Sequence, residues 1–170
     1  MLMKLFEEAL HEFLGRERNN IIANISERNL CGRLMLYLDA ARLRYELTDY
    51  YTDTEYNRNL GDIKRIRHSP TEFNIITCNL ILHSRGQRDD NLIAIEMKKK
   101  IHPTASKNAD RMRLVALTRP RDAARRLSRR QDHVYGYHLG LFLELNTEDA
   151  EYLLEVYQEG EKVSEHRSPF

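Results

Sequence analysis

The chain has 170 residues, 41% of them apolar and 31% charged, with a formal net charge of +1. That length supports one hydrophobic core and is short for two domains, and the near-neutral balance excludes polyanion binding through a surface that is basic throughout. Apolar stretches such as Leu34 to Leu38 and Leu139 to Leu145 fall far short of the roughly 20 residues of a bilayer crossing, the first residues alternate apolar with acidic side chains, and two cysteines, Cys31 and Cys78, do not make a disulfide framework, so a single cytoplasmic domain with reduced thiols and no membrane partner is expected.

In chain order, Leu2, Leu5, Phe6, Leu10, Phe13 and Leu14 fall at helical spacing among acidic residues and predict an amphipathic helix over 2–14. Ile25, Leu30, Cys31, Leu34, Leu38 and Ala41 predict a second helix from Ile25 to Tyr45, with Asn24 and Glu27 placed as a capping box. The period then changes. Tyr50, Thr52, Thr54 and Tyr56 alternate with Asp49, Tyr51, Asp53 and Glu55, which predicts a strand, and the charged stretch from Gly61 through Pro70 reads as a turn or loop. Phe73 to His83 and Asn91 to Met97 predict two strands joined as a hairpin across the polar turn at 86–90.

Beyond Pro103, Met112, Val115 and Ala116 restore helical spacing over Ala105 to Leu117, and Val134 to Leu145 has the near-continuous apolar character of a buried strand. Asn146 and Thr147, followed by Glu148 and Asp149, predict the cap of a C-terminal helix reaching about Glu159, with a fraying tail after Gly160. The expected order is helix, helix, three strands, helix, strand, helix. It forms a single domain over 1–170, with an N-terminal helical extension at 1–23, a core at 24–145 and a C-terminal helix and tail at 146–170. One patch departs from the even charge balance: Arg119, Arg121, Arg125, Arg126, Arg129 and Arg130 share a 12-residue stretch with a single acid, Asp122. Such a run either follows a phosphate backbone, with Arg125 and Arg129 as candidate contacts, or is a solvated face.

Because side chains alternate across a strand, Leu92, Ala94, Glu96 and Lys98 share one face of the strand over 91–97 and its exit, and a hairpin brings Asn79 near Glu96. Taken alone, Glu96 and Lys98 read first as an ion pair where a strand meets solvent, and the triplet by itself is a weak signal. The surrounding stretch CNLILHSRGQRDDNLIAIEMKKK resembles the PD-(D/E)XK nuclease signature of a group of small bacterial proteins. The resemblance extends to SERNLCGRLMLYL at 26–38, EYNR at 55–58, DRMRLVALT at 110–118 and YGYHLGLFLELN at 135–146, covering most of the chain in order.

The resemblance implies a restriction-endonuclease-like αβββαβ core with a mixed sheet flanked by helices. In it a carboxylate of the second strand and the Glu of Glu-x-Lys hold Mg²⁺ (or Mn²⁺) against a scissile phosphate. Glu96 matches the metal-binding Glu, Lys98 the lysine that orients or activates the attacking water, and Glu27 the acid that many members carry on the first core helix. Glu27 also continues the stripe of Cys31, Leu34, Leu38 and Ala41, although an acid in a first helical turn equally serves as a cap. Glu55 is either a further acidic neighbour or an exposed strand residue, and His83 and Arg85 either meet a phosphate or sit at the strand exit. Where the family has Asp on the second strand this chain has Asn79, which keeps an oxygen ligand but removes one negative charge. At an effective dielectric of ~20, unit charges 4 Å apart interact by about 4 kcal/mol, enough to impair or silence a divalent-ion site. The expectation is a metal-dependent phosphodiester hydrolase impaired at Asn79, with nucleic acid as partner and DNA taken before RNA. The alternative is a non-catalytic nucleic-acid-binding or interaction module of the same fold, the latter with a protein partner that supplies specificity; a homodimer is attractive for a nuclease, since two active sites cut two strands.

Overall fold

Helix α1 (Leu2–Ile22) buries Leu5, Phe6, Ala9, Leu10, Phe13, Leu14 and Ile21 along one face. It runs well past Leu14 because Glu17, on that same face, is buried as an acceptor: its carboxylate takes hydrogen bonds from Arg33 Nε (2.9 Å), Tyr37 Oη (2.6 Å) and Asn20 Nδ2 (2.6 Å). A charged residue inside the apolar stripe thus ties α1 to α2 (Glu27–Arg44), whose buried residues are Leu30, Cys31, Leu34, Leu38 and Ala41. The cap of α2 is Ser26, whose hydroxyl accepts from the Asn29 N–H at 3.3 Å. Asn24, expected in that role, instead has a positive φ of 57° and accepts from Lys99 Nζ through its side chain at 2.7 Å.

The computed structural model describes residues 1–55, 58–59, 62–63, 65–69, 72–75, 78–88, 90–120 and 136–170. Among them a six-stranded sheet has β1 (Tyr51–Thr54), β6 (Leu80–His83), β7 (Asn91–Lys99), β8 (Tyr137–Asn146), β9 (Glu151–Gln158) and β10 (Glu161–Pro169) side by side in that order. The strand β1 is shorter than the expected 49–56, and β6 begins at Leu80 rather than Phe73. The stretch read as a turn or loop, 61–70, carries β3 (Asp62–Ile63) and β4 (Arg65–Ser69); β3 pairs with β2 (Arg58–Asn59), and β4 pairs with β5 (Glu72–Ile75), which holds the first residues of the strand expected from Phe73.

The hairpin β6–β7 forms as expected, in the register Leu80 to Ile95 and Ile81 to Ala94. Strand β7 then crosses through α3 (Thr104–Leu117) to β8, which lies parallel to it; the remaining neighbours in this sheet are antiparallel. One face packs against α1 and α2 through Leu80, Leu82, Ile93, Ile95, Leu141 and Leu143. The opposite face packs through Ile81, Ala94, Phe142 and Tyr157 against Leu114 and Leu117 of α3. Burial on both faces is why β8 reads as a continuous apolar run. Gly140 is where β8 admits α3: a Cβ there would stand 2.8 Å from Thr118 Cγ2 and 3.1 Å from Tyr157 Cβ.

The expected C-terminal helix is absent, and the chain forms the β9–β10 hairpin in its place. Asn146 does accept from the amides of Glu148 and Asp149, but it closes a turn and starts no helix. Leu154 and Val156 enter the core beside α1 and α2 while Tyr157 enters the core beside α3, so β9 is apolar on both faces and mimics helical spacing. Glu159 and Gly160 both have positive φ, 52° and 85°, the requirement of a tight two-residue hairpin turn. Segment 161–170, expected to fray, pairs with β9 over most of its length.

Candidate functional site

Pairing across the sheet sets the site. Continuing the β6–β7 register one step past Leu80 puts Asn79 opposite Glu96, and the contacts agree: the Asn79 N–H points at Glu96 Oε2 (3.4 Å), while Asn79 Oδ1 accepts from the Met97 N–H (2.8 Å). Glu96 is fully buried. Its other oxygen, Oε1, accepts from Arg113 Nη1 of α3 at 2.5 Å. Burial pushes the Glu96 carboxyl up to about 7, with the nearby Asp110 charge adding to the rise and the Arg113 guanidinium opposing it.

Lys98, two residues on along the same face, is held between helices. Its Nζ lies 2.9 Å from Glu27 Oε1 at the start of α2 and 3.3 Å from Asp110 Oδ2 of α3. Its own burial opposes the charge, but the two carboxylates prevail and raise its pKa. Asp110 Oδ1 in turn lies 3.1 Å from Arg113 Nη1, and Glu27 Oε2 lies 3.1 Å from His102 Nδ1. A continuous polar chain therefore runs His102, Glu27, Lys98, Asp110, Arg113, Glu96, Asn79. Three of its buried atoms, Glu27 Oε2, His102 Nδ1 and Asp110 Oδ2, lie at ion-pair distance from a neighbour without the alignment of a hydrogen bond.

Glu96, Lys98, Glu27 and Asn79, the four residues picked out by the sequence, thus meet at one place. His102, Asp110 and Arg113 were missed. The signal for the latter two was an Asp and an Arg three apart on one helix face, in line with the apolar Leu114 and Leu117. The remaining candidates lie elsewhere. Glu55 is engaged by Arg28 through both carboxylate oxygens, at 3.0 and 3.1 Å. His83 is buried with its ring 2.9 Å from Asp53, and Arg85 binds the same carboxylate while its guanidinium stacks 4.4 Å from the Tyr51 ring. Four residues of extended chain, about 13 Å, separate His83 from Asn79, so these two residues stand away from Glu96. Arg125 and Arg129 lie outside the described residues.

The same sheet face carries a second layer of charge. Phe142 stands between Glu96 and Glu155 in one row of the sheet, and Glu144 pairs with Lys98 in the next. Helix α3 answers each buried carboxylate with its own cation: Lys107 reaches Glu144 (2.8 Å), Arg111 reaches Glu155 (2.7 Å) and Arg113 reaches Glu96. From Thr104 to Arg113 the only buried residue of α3 is Asp110, and apolar packing begins at Leu114. The first turns of α3 are therefore moored to the sheet by ion pairs.

Cys31 and Cys78 are both buried in the core. Among the described residues no helix is long and apolar enough to cross a membrane. No family model matches the chain, and neither a curated protein nor a solved structure matches it.

Proposed function

We propose that the chain is a metal-dependent phosphodiester hydrolase with a restriction-endonuclease-like PD-(D/E)XK core, acting on nucleic acid, DNA before RNA, and attenuated by Asn79. What supports this reading most is the convergence of Asn79, Glu96, Lys98 and Glu27 from three separate stretches of sequence at one place on the sheet. The order α2, β1, β6, β7, α3, β8 is in keeping with that core.

The donor chemistry suits Mg²⁺ or Mn²⁺. Glu96 and the Asn79 amide oxygen are hard oxygen donors, and Glu27 Oε2 and Asp110 Oδ2 are buried carboxylate oxygens without a hydrogen bond. Three carboxylates, Glu27, Asp110 and Glu96, face the two fixed cations Lys98 and Arg113. Among the described residues no three His, Cys, Asp or Glu side chains are grouped to hold an ion by themselves. An Mg²⁺ ion is commonly bound by one or two carboxylates, with water and a substrate phosphate completing its shell. Glu96 and residue 79 would hold it, and when bound it supplies Lewis-acid polarisation of the phosphoryl oxygen and acidifies water. Lys98 adds positive charge where the transition state gathers negative charge. Glu27 and Asp110 fix the Lys98 ammonium and keep it protonated.

The second reading, a non-catalytic nucleic-acid-binding or interaction module, draws on the amide at residue 79, whose oxygen is already occupied by the Met97 N–H. Cleavage of DNA and RNA substrates with Mg²⁺ or Mn²⁺ by the unmodified chain, Asn79→Asp and Asn79→Asp/Lys98→Ala separates the two. The hydrolase reading expects Asn79→Asp to raise the rate by about a hundredfold or more, since one restored charge facing a divalent ion amounts to several kcal/mol. It expects Lys98→Ala to abolish that gain while calorimetry still detects the ion. Background cleavage by a folded Asn79→Asp protein that binds the ion leaves the binding module as the function.

A further inference from the structure

Glu96 is met by a cation that the chain itself supplies. Arg113 Nη1 lies 2.5 Å from Glu96 Oε1 and 3.1 Å from Asp110 Oδ1, so one guanidinium nitrogen bridges two carboxylates. The two halves of the pair are unequally placed. Glu96 has no exposed surface and is fixed in the central sheet, whereas the Arg113 side chain is 24% exposed and reaches the site from α3 with a route to solvent. No apolar residue of α3 before Leu114 is buried, so the Arg113 side chain can withdraw without unpacking an apolar residue of that part of α3.

The guanidinium sits on Oε1 of the carboxylate that would hold the ion, while Oε2 faces Asn79, so an ion at Glu96 would share that carboxylate with a second cation. Two cations within hydrogen-bond range of one buried carboxylate repel each other strongly, and burial keeps solvent from screening them. Resting on the hydrolase reading above, we infer that Arg113 is a built-in competitor for the divalent ion at Glu96, so that the ion binds only as the Arg113 guanidinium leaves. Arg113 is then a gating residue. It keeps Glu96 charge-balanced when no ion is present, and it sets the ion concentration at which the site fills. Asn79 and Arg113 lower ion affinity by separate routes, one by supplying too little negative charge and the other by supplying a rival positive one.

The test is calorimetric titration with Mn²⁺, without nucleic acid, of the unmodified chain, Arg113→Gln, Asn79→Asp and Asn79→Asp/Arg113→Gln. About pH 8 is chosen because Glu96 without Arg113 holds its proton more tightly. Arg113→Gln should tighten Mn²⁺ binding about tenfold or more in each background. Unchanged or weaker binding by a variant that keeps its circular dichroism overturns the inference, as does the absence of binding in both Arg113→Gln proteins at millimolar Mn²⁺. Should Arg113→Gln fail to fold, Asn79→Asp carries the test: Mg²⁺ should speed solvent exchange of the Arg113 guanidinium protons in ¹⁵N NMR, and an unchanged exchange rate at saturation overturns the inference. Failure of the hydrolase reading is distinct, because it shows as absent cleavage by an ion-bound Asn79→Asp protein, whatever Arg113 does to affinity.

Discussion

Glu96 ought to destabilise the fold that contains it, by an amount that depends on pH. Its carboxyl has an ordinary value of 4.5 and is pushed up to about 7 by burial. Below about pH 4.5 the folded and unfolded forms both hold the proton. Between about 4.5 and 7 the unfolded chain releases it while the folded chain keeps it, so stability falls by up to 1.4 kcal/mol per pH unit, and above 7 the loss is complete and constant. The span corresponds to about 3 kcal/mol. Glu96→Gln has the same shape, still accepts from Arg113 and carries no charge to desolvate. It should be near neutral at about pH 5 and stabilise by about 1–3 kcal/mol at about pH 8, the reduction reflecting a weaker partner for Arg113. Urea unfolding of both proteins at the two pH values reads the difference directly, because the other titrating groups cancel. A variant that shifts stability equally at both values, or destabilises more at the higher one, refutes the placement of Glu96 as a strained buried acid. Such a gain is what the proposed hydrolase reading expects of a residue kept for chemistry at the expense of stability.

Glu17 should behave in the opposite sense. Arg33 and Tyr37 pull its carboxyl down to about 2, so its contribution is whole above about pH 4.5 and drains away as pH falls toward 2. Glu17→Ala should cost about 2 kcal/mol at neutral pH, shrinking in acid, as measured by urea unfolding at several pH values. Gly140→Ala should cost about 1–3 kcal/mol in thermal or urea unfolding, because the added methyl meets Thr118 and Tyr157 and must push α3 from the sheet; an unchanged stability would contradict that close approach.

Where one physical signal dominated, the sequence was readable. The α2 stripe, the β6–β7 hairpin and the apolar β8 each carry a single period, and alternation together with the expected hairpin brought Asn79 near Glu96. Legibility failed where two signals overlapped. Glu17 and the charged residues around it concealed the second half of α1, since a buried carboxylate satisfied by Arg33 and Tyr37 looks polar in one dimension. On β9, Leu153, Leu154 and Tyr157 fit a helix as well as a doubly buried strand, and the Asn146 turn imitated a cap. The Glu159–Gly160 dipeptide held the resolving information, through a left-handed turn that a helix does not need. Asp110 and Arg113 were hidden for a different reason: their partners, Lys98 and Glu96, lie on another element, and only the crossover from β7 through α3 brings them together.

The mooring of α3 bears on how this chain can change over generations. Lys107 with Glu144, Arg111 with Glu155 and Arg113 with Glu96 are partners in which at least one charge is buried. Deleting one member of such a pair strands the other at a cost of about 3–5 kcal/mol, whereas exchanging both for apolar groups of similar volume is close to neutral. Except where an isosteric amide keeps the hydrogen bond, as Glu96→Gln does with Arg113, a single truncation at these positions crosses a valley; a matched double substitution walks around it. Drift along this interface therefore proceeds in two-letter steps, and each surviving pair holds α3 in its register on the sheet while the apolar residues nearby remain free to vary one at a time.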